Sequence, residues 1–288
     1  MTVPVIAEPA ELRAALDGRR SDGHRVGLVP TMGALHGGHL SLIRRAVANC
    51  DTVVVSVYVN PLQFAPTDDL ASYPRDLDTD RNLAAGVGAD IVFAPSEAQM
   101  WPEPPVTVVR VEGVSEPLEG RSRPGHFDGV ATIVARLFGI AGACWAYFGE
   151  KDFQQLAVLR RMTRDLALPV EVVGCPIVRH PDGLALSSRN AYLTAGERQV
   201  ASHLYRALLA GRRAIEDDGA TDPDAVVAAM TGAVAATPAL TLDYASVVDP
   251  VDLAVPPRLS GEVRLLVAAG LGRARLIDNI AVTLPAPS

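Results

Sequence analysis

Two histidines and several glycines stand where an apolar run gives way to a helical pattern. His36 and His39 are separated only by Gly37 and Gly38, within the stretch "PTMGALHGGHLSLI". Glycines let the backbone approach a bound group closely, and the N-terminus of a helix favours a phosphate. Imidazole N–H donors there could stabilise charge that builds on a phosphate during its transfer. The spacing predicts a phosphate site. The alternative is that one histidine caps the helix while the other packs in the core.

Three further stretches carry polar groups that could act on the same ligand. Lys151, in "FGEKDFQQL", is the only lysine of the chain, and a compact ammonium is not equivalent to the planar arginine fork. Ser187 and Arg189, in "DGLALSSRNAYL", combine hydroxyl and guanidinium groups that suit a pyrophosphate. Gln63 follows a strand pattern, and neutral amides suit a small polar substrate. The alternatives are chance retention of the lysine under a codon bias, an ordinary helix cap and a simple turn.

Composition excludes several classes of protein. The 288 residues are 49% hydrophobic and carry a formal net charge of −7, which disfavours a nucleic-acid-binding protein. Three scattered cysteines indicate neither a disulfide framework nor a zinc site. No P-loop is present, because no Gly-Lys-Ser/Thr sequence occurs. We expect neither a signal peptide nor a membrane span, and therefore a cytoplasmic protein.

Strand and helix patterns alternate through the first part of the chain and then change. Apolar runs such as "TVVVSVYVN" and "CWAYFG" alternate with helical stripes, which predicts an α/β fold with a Rossmann-like parallel sheet over residues 1–176. "PVTVVRVEG" is interpreted as a further strand at the edge. Residues 177–288 are expected to form a smaller α+β domain, with "AGERQVASHLYRALLAGRRAIEDDG" as one long helix, a second helix that Asp222 caps, and three strands. Ligands of parallel sheets bind at the carboxyl ends of the strands, where His36 and His39 lie.

Together these stretches resemble the HxGH nucleotidyl-transferase superfamily and, within it, the pantothenate synthetase family. The matching motifs are "PTMGALHGGHLSLI", "VSVYVNPLQF", "YPRD", "RPGHFDGVATIV", "FGEKDFQQL", "DGLALSSRNAYL" and "LIDN", in the order of the family. The resemblance implies that ATP activates pantoate to a pantoyl adenylate, and that the amine of β-alanine then releases pantothenate and AMP. It also implies Mg²⁺, whose protein ligands stay unknown, and a homodimer. The partners are small molecules, with no nucleic acid and no membrane.

The resemblance also assigns residues to the ligands. It makes His39 the proton donor, and the residues themselves add His36 and Lys151 to the catalytic groups. The residues implied for ATP are Met32, Gly33, Ala34, Leu35, His36, Gly37, Gly38, His39, Gly149, Glu150, Lys151, Asp152, Val178, Leu186, Ser187, Ser188 and Arg189. Those implied for pantoate are Gln63, Gln155 and Met32, with Gln63 also near β-alanine. The smaller domain is expected to close over the ATP site.

Two other functions are weighed against this one. Another HxGH adenylyl or cytidylyl transferase would act on a phosphate-bearing substrate, which needs more basic residues than the neutral Asn60, Gln63 and Gln155 supply. A non-catalytic nucleotide sensor would need neither the second histidine nor Lys151.

Overall fold

The chain forms two compact units. The structure, a computed structural model, describes residues 3–64 and 75–284. The first unit contains residues up to 150 together with 154–176, and the second contains residues 151–153 together with those from 177 onward. The short segment 151–153 therefore belongs to the second unit although it interrupts the first in sequence.

The first unit is built on a six-stranded sheet in which every pair of neighbouring strands is parallel. Its order is β1-β4-β3-β2-β5-β6. The strands are β1 Val5–Ile6, β2 Val26–Thr31, β3 Thr52–Val57, β4 Ile91–Phe93, β5 Cys144–Gly149 and β6 Val170–Cys175. The β-branched run of β3 is buried along most of its length, as expected for a parallel strand covered on both faces. The predicted Rossmann-like parallel sheet is confirmed.

Helices connect these strands. They are α1 Pro9–Ser21, α2 Gly37–Asn49, α3 Leu77–Gly86, α4 Glu97–Met100, α5 Glu119–Ser122, α6 His126–Ala141 and α7 Phe153–Asp165. The core beside α2 joins its Ile43 and Ala46 to Val29 of β2 and Val55 of β3, all with almost no exposed surface. The apolar stripe that predicted α2 is therefore the face that packs on the sheet.

The strand order reverses beside β2. From β2 the chain runs through β3 to β4 on one side, and then returns to place β5 and β6 on the other. Gly27 and Leu28 of β2 pair directly with Trp145 and Ala146 of β5. The carboxyl ends of β2 and β5 are consequently neighbours at the point where a doubly wound sheet binds its ligands.

The second unit is an α+β fold, as predicted. Three antiparallel strands in the order β7-β8-β9 form its sheet: β7 Thr241–Val248, β8 Glu262–Leu271 and β9 Ala274–Thr283. Its helices are α8 Ala195–Ala201, α9 His203–Glu216 and α10 Pro223–Ala235. Asp222 caps α10 by accepting from the N–H of Asp224, as the sequence predicts. The buried side chains of Leu208, Met230 and Leu265 belong to one hydrophobic core between the helices and the sheet.

Two predicted elements were wrong. The expected long helix is two helices, because the chain breaks at Ser202, whose hydroxyl donates to the Gln199 carbonyl at 3.3 Å. Serine competes with the helical ladder in this way. The segment 105–111 is not a strand: Val106 is 98% exposed, and the N–H of Val109 bonds to the Thr132 hydroxyl. β-Branched residues favour extended backbone, but a strand also needs a partner.

Cys50, Cys144 and Cys175 are free thiols. Burial raises the pKa of Cys175 to about 11 and that of Cys144 to about 12, so neither is a thiolate near neutral pH. Within the described ranges, no helix is both long and apolar enough to cross a membrane.

Candidate active site

The two histidines form a reciprocal cap at the start of α2. His36 is the N-cap residue, and its Nδ1 accepts from the N–H of Gly38 at 3.1 Å. His39 Nδ1 accepts in turn from the N–H of His36, at a longer 3.4 Å. The ring centroids lie 4.1 Å apart and both side chains are half-buried. The helix is thus capped by the same imidazoles that the spacing predicts for phosphate.

This cap fixes the tautomer of both rings. An Nδ1 atom that accepts a hydrogen bond carries no proton, so each neutral ring is protonated at Nε2. The expectation that a histidine caps the helix is right for His36, and His39 joins it. Capping nevertheless does not compete with phosphate binding, because it uses Nδ1 and makes Nε2 the N–H donor. The cap and the predicted chemical role are compatible in the same side chains.

The turn before the histidines is shaped by Asp80 of α3. Its carboxylate accepts from the N–H of Ala34 at 3.0 Å and from that of Leu35 at 2.7 Å. Gly33 has a φ of +84°, and a Cβ atom there would lie 2.8 Å from Asp80 Oδ2. Glycine is required at this position for both reasons. Asp80, only 2% exposed, determines the path of the backbone that leads into the cap.

Gln63 lies beside this turn. Its Nε2 donates to the sulfur of Met32 at 2.8 Å, and its Oε1 accepts from Asn60 Nδ2 at 3.2 Å. The structure therefore brings together two of the three residues expected to bind pantoate. Positions 65–74, which include the first half of the "YPRD" motif, lie outside the described residues.

Helix α6 supports the backbone of Gln63. His126 Nδ1 lies 2.9 Å from the Gln63 carbonyl, and Asn60 Nδ2 donates to the Gly129 carbonyl at 3.1 Å. A Cβ atom on Gly129 would lie 2.0 Å from the carbonyl oxygen of Leu62. These contacts explain the "RPGHFDGVATIV" stretch, whose local pattern indicated only a helix.

The adjacent glutamines of α7 have different surroundings. Gln154 is buried, and it accepts from the N–H of Glu119 and donates to the carbonyls of Val114 and Pro117. Those bonds hold a loop in place. Gln155, the one expected to bind pantoate, is half-buried and makes none of the hydrogen bonds that hold this loop. Sequence position alone did not reveal this division, and the assignment of Gln155 to pantoate stays a prediction.

A second group of predicted residues lines one pocket of the second unit. Lys151, Ser187 and Arg189 lie in its wall together with Arg275 and Asp278. The Lys151 side chain is 15% exposed, and its Nζ is 3.4 Å from Asp152 Oδ1. Ser187 caps a 3-10 turn by accepting from the N–H of Arg189 at 3.3 Å, so the expected ordinary cap is also present.

The hairpin ahead of Ser187 contains the two other residues expected near ATP. The N–H of Leu186 donates to the Val178 carbonyl at 2.9 Å. Next to them, Arg179 makes a bidentate ion pair with Asp278, at 2.6 and 2.9 Å, and donates to the Gly183 carbonyl. Burial raises the pKa of the Asp278 carboxyl, and the Arg179 guanidinium opposes that rise.

Gly149 is the last residue of β5, whose end neighbours that of β2 in the sheet. Glu150, Lys151 and Asp152 are the next residues along the chain. Of the remaining predicted residues, Ser188 opens the 3-10 turn Ser188–Tyr192 and Gly37 opens α2. Among the described residues, no group of three or more His, Cys, Asp or Glu side chains could hold a metal ion.

Sequence reasoning missed Asp80, Gly129, Asp278 and Asn279. Asp80 has acidic neighbours in Asp76 and Asp78, and nothing in that local pattern distinguishes the buried carboxylate from the exposed ones. The motif "LIDN" could have revealed the last two residues. Asp and Asn in an apolar strand are costly to bury, so their presence indicates specific hydrogen-bond partners.

Known proteins share this architecture over almost the whole chain. A solved pantothenate synthetase from Thermus thermophilus has a TM-score of 0.90 at 49% identity, and the match covers 96% of this chain and 99% of that one. A pantoate-beta-alanine ligase from Francisella tularensis, solved with beta-gamma ATP and beta-alanine, has a TM-score of 0.78 at 31% identity, with 96% and 97% covered. A pantothenate synthetase of Paracoccus denitrificans is 51% identical over 99% of this chain and all of its own length.

Fold and similarity thus define a ligase. The model of the pantoate-beta-alanine ligase family matches residues 4–281, and the chain belongs to that family.

Proposed function

We propose that this chain joins pantoate to β-alanine in an ATP-dependent ligation that passes through a pantoyl adenylate. Family membership supports the overall ligation. The reciprocal histidine cap carries the proposal of the adenylate step, because it sets two Nε2–H donors at the start of α2. Donors of this kind are what a nucleotide's phosphates need as charge develops on them.

The reaction has two steps. A carboxylate oxygen of pantoate attacks the α-phosphorus of ATP, and the bond to the β-phosphate oxygen breaks as pyrophosphate leaves. The amine of β-alanine then attacks the acyl carbon of the adenylate, loses a proton, and displaces AMP to give pantothenate. Phosphoryl transfer depends mostly on positioning and on stabilisation of charge, so the protein's task is to orient the carboxylate and screen the phosphates.

Each predicted residue has a proposed role in these steps. The segment from Met32 to His39 would bind ATP, with His39 and His36 donating to phosphate oxygens. Lys151 would add a mobile positive charge. Ser187, Ser188 and Arg189 would bind the phosphates that leave, and the remaining ATP contacts would come from Gly149, Glu150, Asp152, Val178 and Leu186.

Neutral amide side chains would hold the other substrates. The Gln63 side chain contacts Met32 and Asn60, which gives it a fixed position beside the turn that leads to the histidines. Gln63 and Gln155 would bind the hydroxyls and carboxylate of pantoate, and Gln63 would also lie near β-alanine. Because these groups are neutral, the site suits pantoate better than the phosphate-bearing substrate of another nucleotidyl transferase.

We also propose that Mg²⁺ binds together with ATP. Magnesium usually keeps several waters and binds through substrate phosphates and one or two carboxylates. When bound, the ion would offset charge on the leaving pyrophosphate.

A homodimer and a cytoplasmic location complete the proposal. The resemblance to the family supports the dimer, which sedimentation of the purified protein would test. Three free cysteines support a reducing compartment such as the cytoplasm.

The decisive experiment is ATP–pyrophosphate exchange. Pantoate and Mg²⁺ should support exchange of labelled pyrophosphate into ATP without β-alanine, because adenylation is complete before any amine is needed. Exchange that appears only after β-alanine is added would contradict the two-step reaction. A nucleotide sensor would bind ATP and show no exchange under either condition.

A further inference from the structure

The backbone of Lys151 is held by the side chain of Asn279, a residue of β9 that lies 128 positions away in sequence. Asn279 Nδ2 donates to the Lys151 carbonyl at 2.9 Å. Asn279 is 1% exposed, so this bond is protected from water and therefore costly to lose. The carbonyl of Lys151 is thus fixed by a long-range contact within the second unit.

The orientation of the Asn279 amide is fixed by a second bond. Its Oδ1 accepts from Arg264 Nη1 at 3.2 Å, and a guanidinium can only donate. The oxygen must therefore face Arg264, which turns the NH₂ group toward Lys151. Arg264 is itself buried, and its guanidinium lies 3.9 Å from the centre of the Phe153 ring. Asn279 therefore holds residue 151, and its partner Arg264 packs against residue 153.

The preceding residue of β9 holds the other side of the same pocket. Asp278 makes the bidentate ion pair with Arg179, whose guanidinium also donates to the Gly183 carbonyl and lies 4.1 Å from the Tyr205 ring. Asp278 and Asn279, two consecutive residues of β9, thereby fix the hairpin that leads to Ser187 and the main chain of Lys151. Antiparallel pairing with β8 along its whole length makes β9 a rigid support.

We propose that Asn279 is a positioning residue for adenylation, which sets the place of the Lys151 ammonium by holding its main chain. This inference rests on the proposed function, since it assumes that Lys151 acts on the nucleotide. It gives the "LIDN" motif a role: a buried amide that orients the chain's only lysine without touching a substrate. Misplacement of a reacting group by about 1 Å is enough to cost about 100-fold in rate.

The variant Asn279→Asp tests the inference. Its carboxylate keeps the bond from Arg264, but it presents an oxygen instead of a donor to the Lys151 carbonyl. Pantoate-dependent ATP–pyrophosphate exchange should fall by about 10- to 100-fold in maximal rate, with the Michaelis constant for pantoate changed less than about threefold. Asn82→Asp, at an exposed position of α3, adds the same charge and should change neither quantity.

Labelling of Lys151 gives a readout that is independent of activity. An N-hydroxysuccinimide ester has two kinds of target here, the N-terminal amine and Lys151, and mass spectrometry of the peptide that contains Lys151 separates them. The labelling rate of Lys151 should change several-fold in Asn279→Asp, while that of the N-terminal amine stays constant. Unchanged labelling together with unchanged exchange overturns the inference.

Two further outcomes are informative. If wild-type protein shows no exchange, the proposed function fails, and the labelling rate alone then decides whether Asn279 positions Lys151. If Asn279→Asp does not fold, Asn279→Ser replaces it, because a hydroxyl is too short to reach the Lys151 carbonyl. A folded serine variant with wild-type labelling and exchange rates would equally overturn the inference.

Discussion

The Asp80 carboxylate offers the sharpest test of how the first unit builds the turn that leads into the histidine cap. It accepts hydrogen bonds from the main-chain N–H groups of Ala34 and Leu35, and it packs against Gly33. Asp80→Asn keeps the shape and removes the charge. The amide has one acceptor atom, so one of the two N–H groups would face the NH₂ group of the asparagine and lose its partner.

The expected cost follows from those contacts. A hydrogen bond to a charged group contributes about 1.5–3 kcal/mol, and a buried donor left without a partner costs a similar amount. Release of the buried charge offsets part of this loss, so we expect Asp80→Asn to lower the free energy of unfolding by about 2 kcal/mol. Asp80→Ala loses both bonds and should cost more. Asp78→Asn, exposed on the same helix, should change stability by less than about 0.5 kcal/mol.

Urea unfolding followed by tryptophan fluorescence measures this effect in the appropriate unit. Both tryptophans, Trp101 and Trp145, belong to the first unit, so their emission reports its unfolding. ATP–pyrophosphate exchange by the folded fraction should fall about 100-fold, because the turn leads directly into the histidine cap. A variant Asp80→Asn that unfolds at the wild-type urea concentration and exchanges at the wild-type rate would refute this account of the turn.

Three other substitutions test the proposed chemistry. Lys151→Arg should fold and keep its charge but lose most adenylation, because the planar fork places its donors differently; an active variant would remove Lys151 from the mechanism. His36→Ala and His39→Ala should each lower the single-turnover rate of adenylation by about 100- to 1,000-fold, and they should lower stability by only about 1 kcal/mol through loss of the cap. Near-normal turnover would leave the histidine concerned with capping alone. Gln63→Ala should raise the pantoate concentration needed for half-maximal exchange while ATP binding, measured by calorimetry, stays close to wild type; normal pantoate saturation would contradict its assignment.

Much of the architecture could be predicted from the sequence, because it depends on short-range patterns. The β-branched run of β3, the apolar stripe of α2 and the Asp222 cap of α10 each involve residues a few positions apart. Local sterics and hydrogen bonds decide such elements, so their residue types reveal them. The glycine–histidine turn was found for the same reason, since His36 and His39 cap one helix within four residues.

The two failed predictions lie where the preference of the residue types did not decide the structure. The segment 105–111 has the residue types of a strand, yet Val106 and Val108 are exposed and the Val109 N–H bonds to a helix side chain. The helix after Thr194 breaks at Ser202 although its apolar spacing continues. At Ser202 a hydrogen bond from the side chain to the carbonyl of Gln199 outweighed a helix propensity of less than about 1 kcal/mol per residue. In the segment 105–111 the strand preference was equally small, and it was outweighed by the bond to the Thr132 hydroxyl.

The parts of the candidate site that support the reactive groups were decided by tertiary structure alone. Asp80 reaches a turn 46 residues away, Gln63 meets Met32, and Asn279 meets the Lys151 carbonyl across 128 residues. Their residue types are ordinary, and neighbours such as Asp78 look the same in the sequence. A buried polar group is stabilised only by a partner that the fold brings to it, and a linear pattern carries no record of which distant backbone group that partner will be.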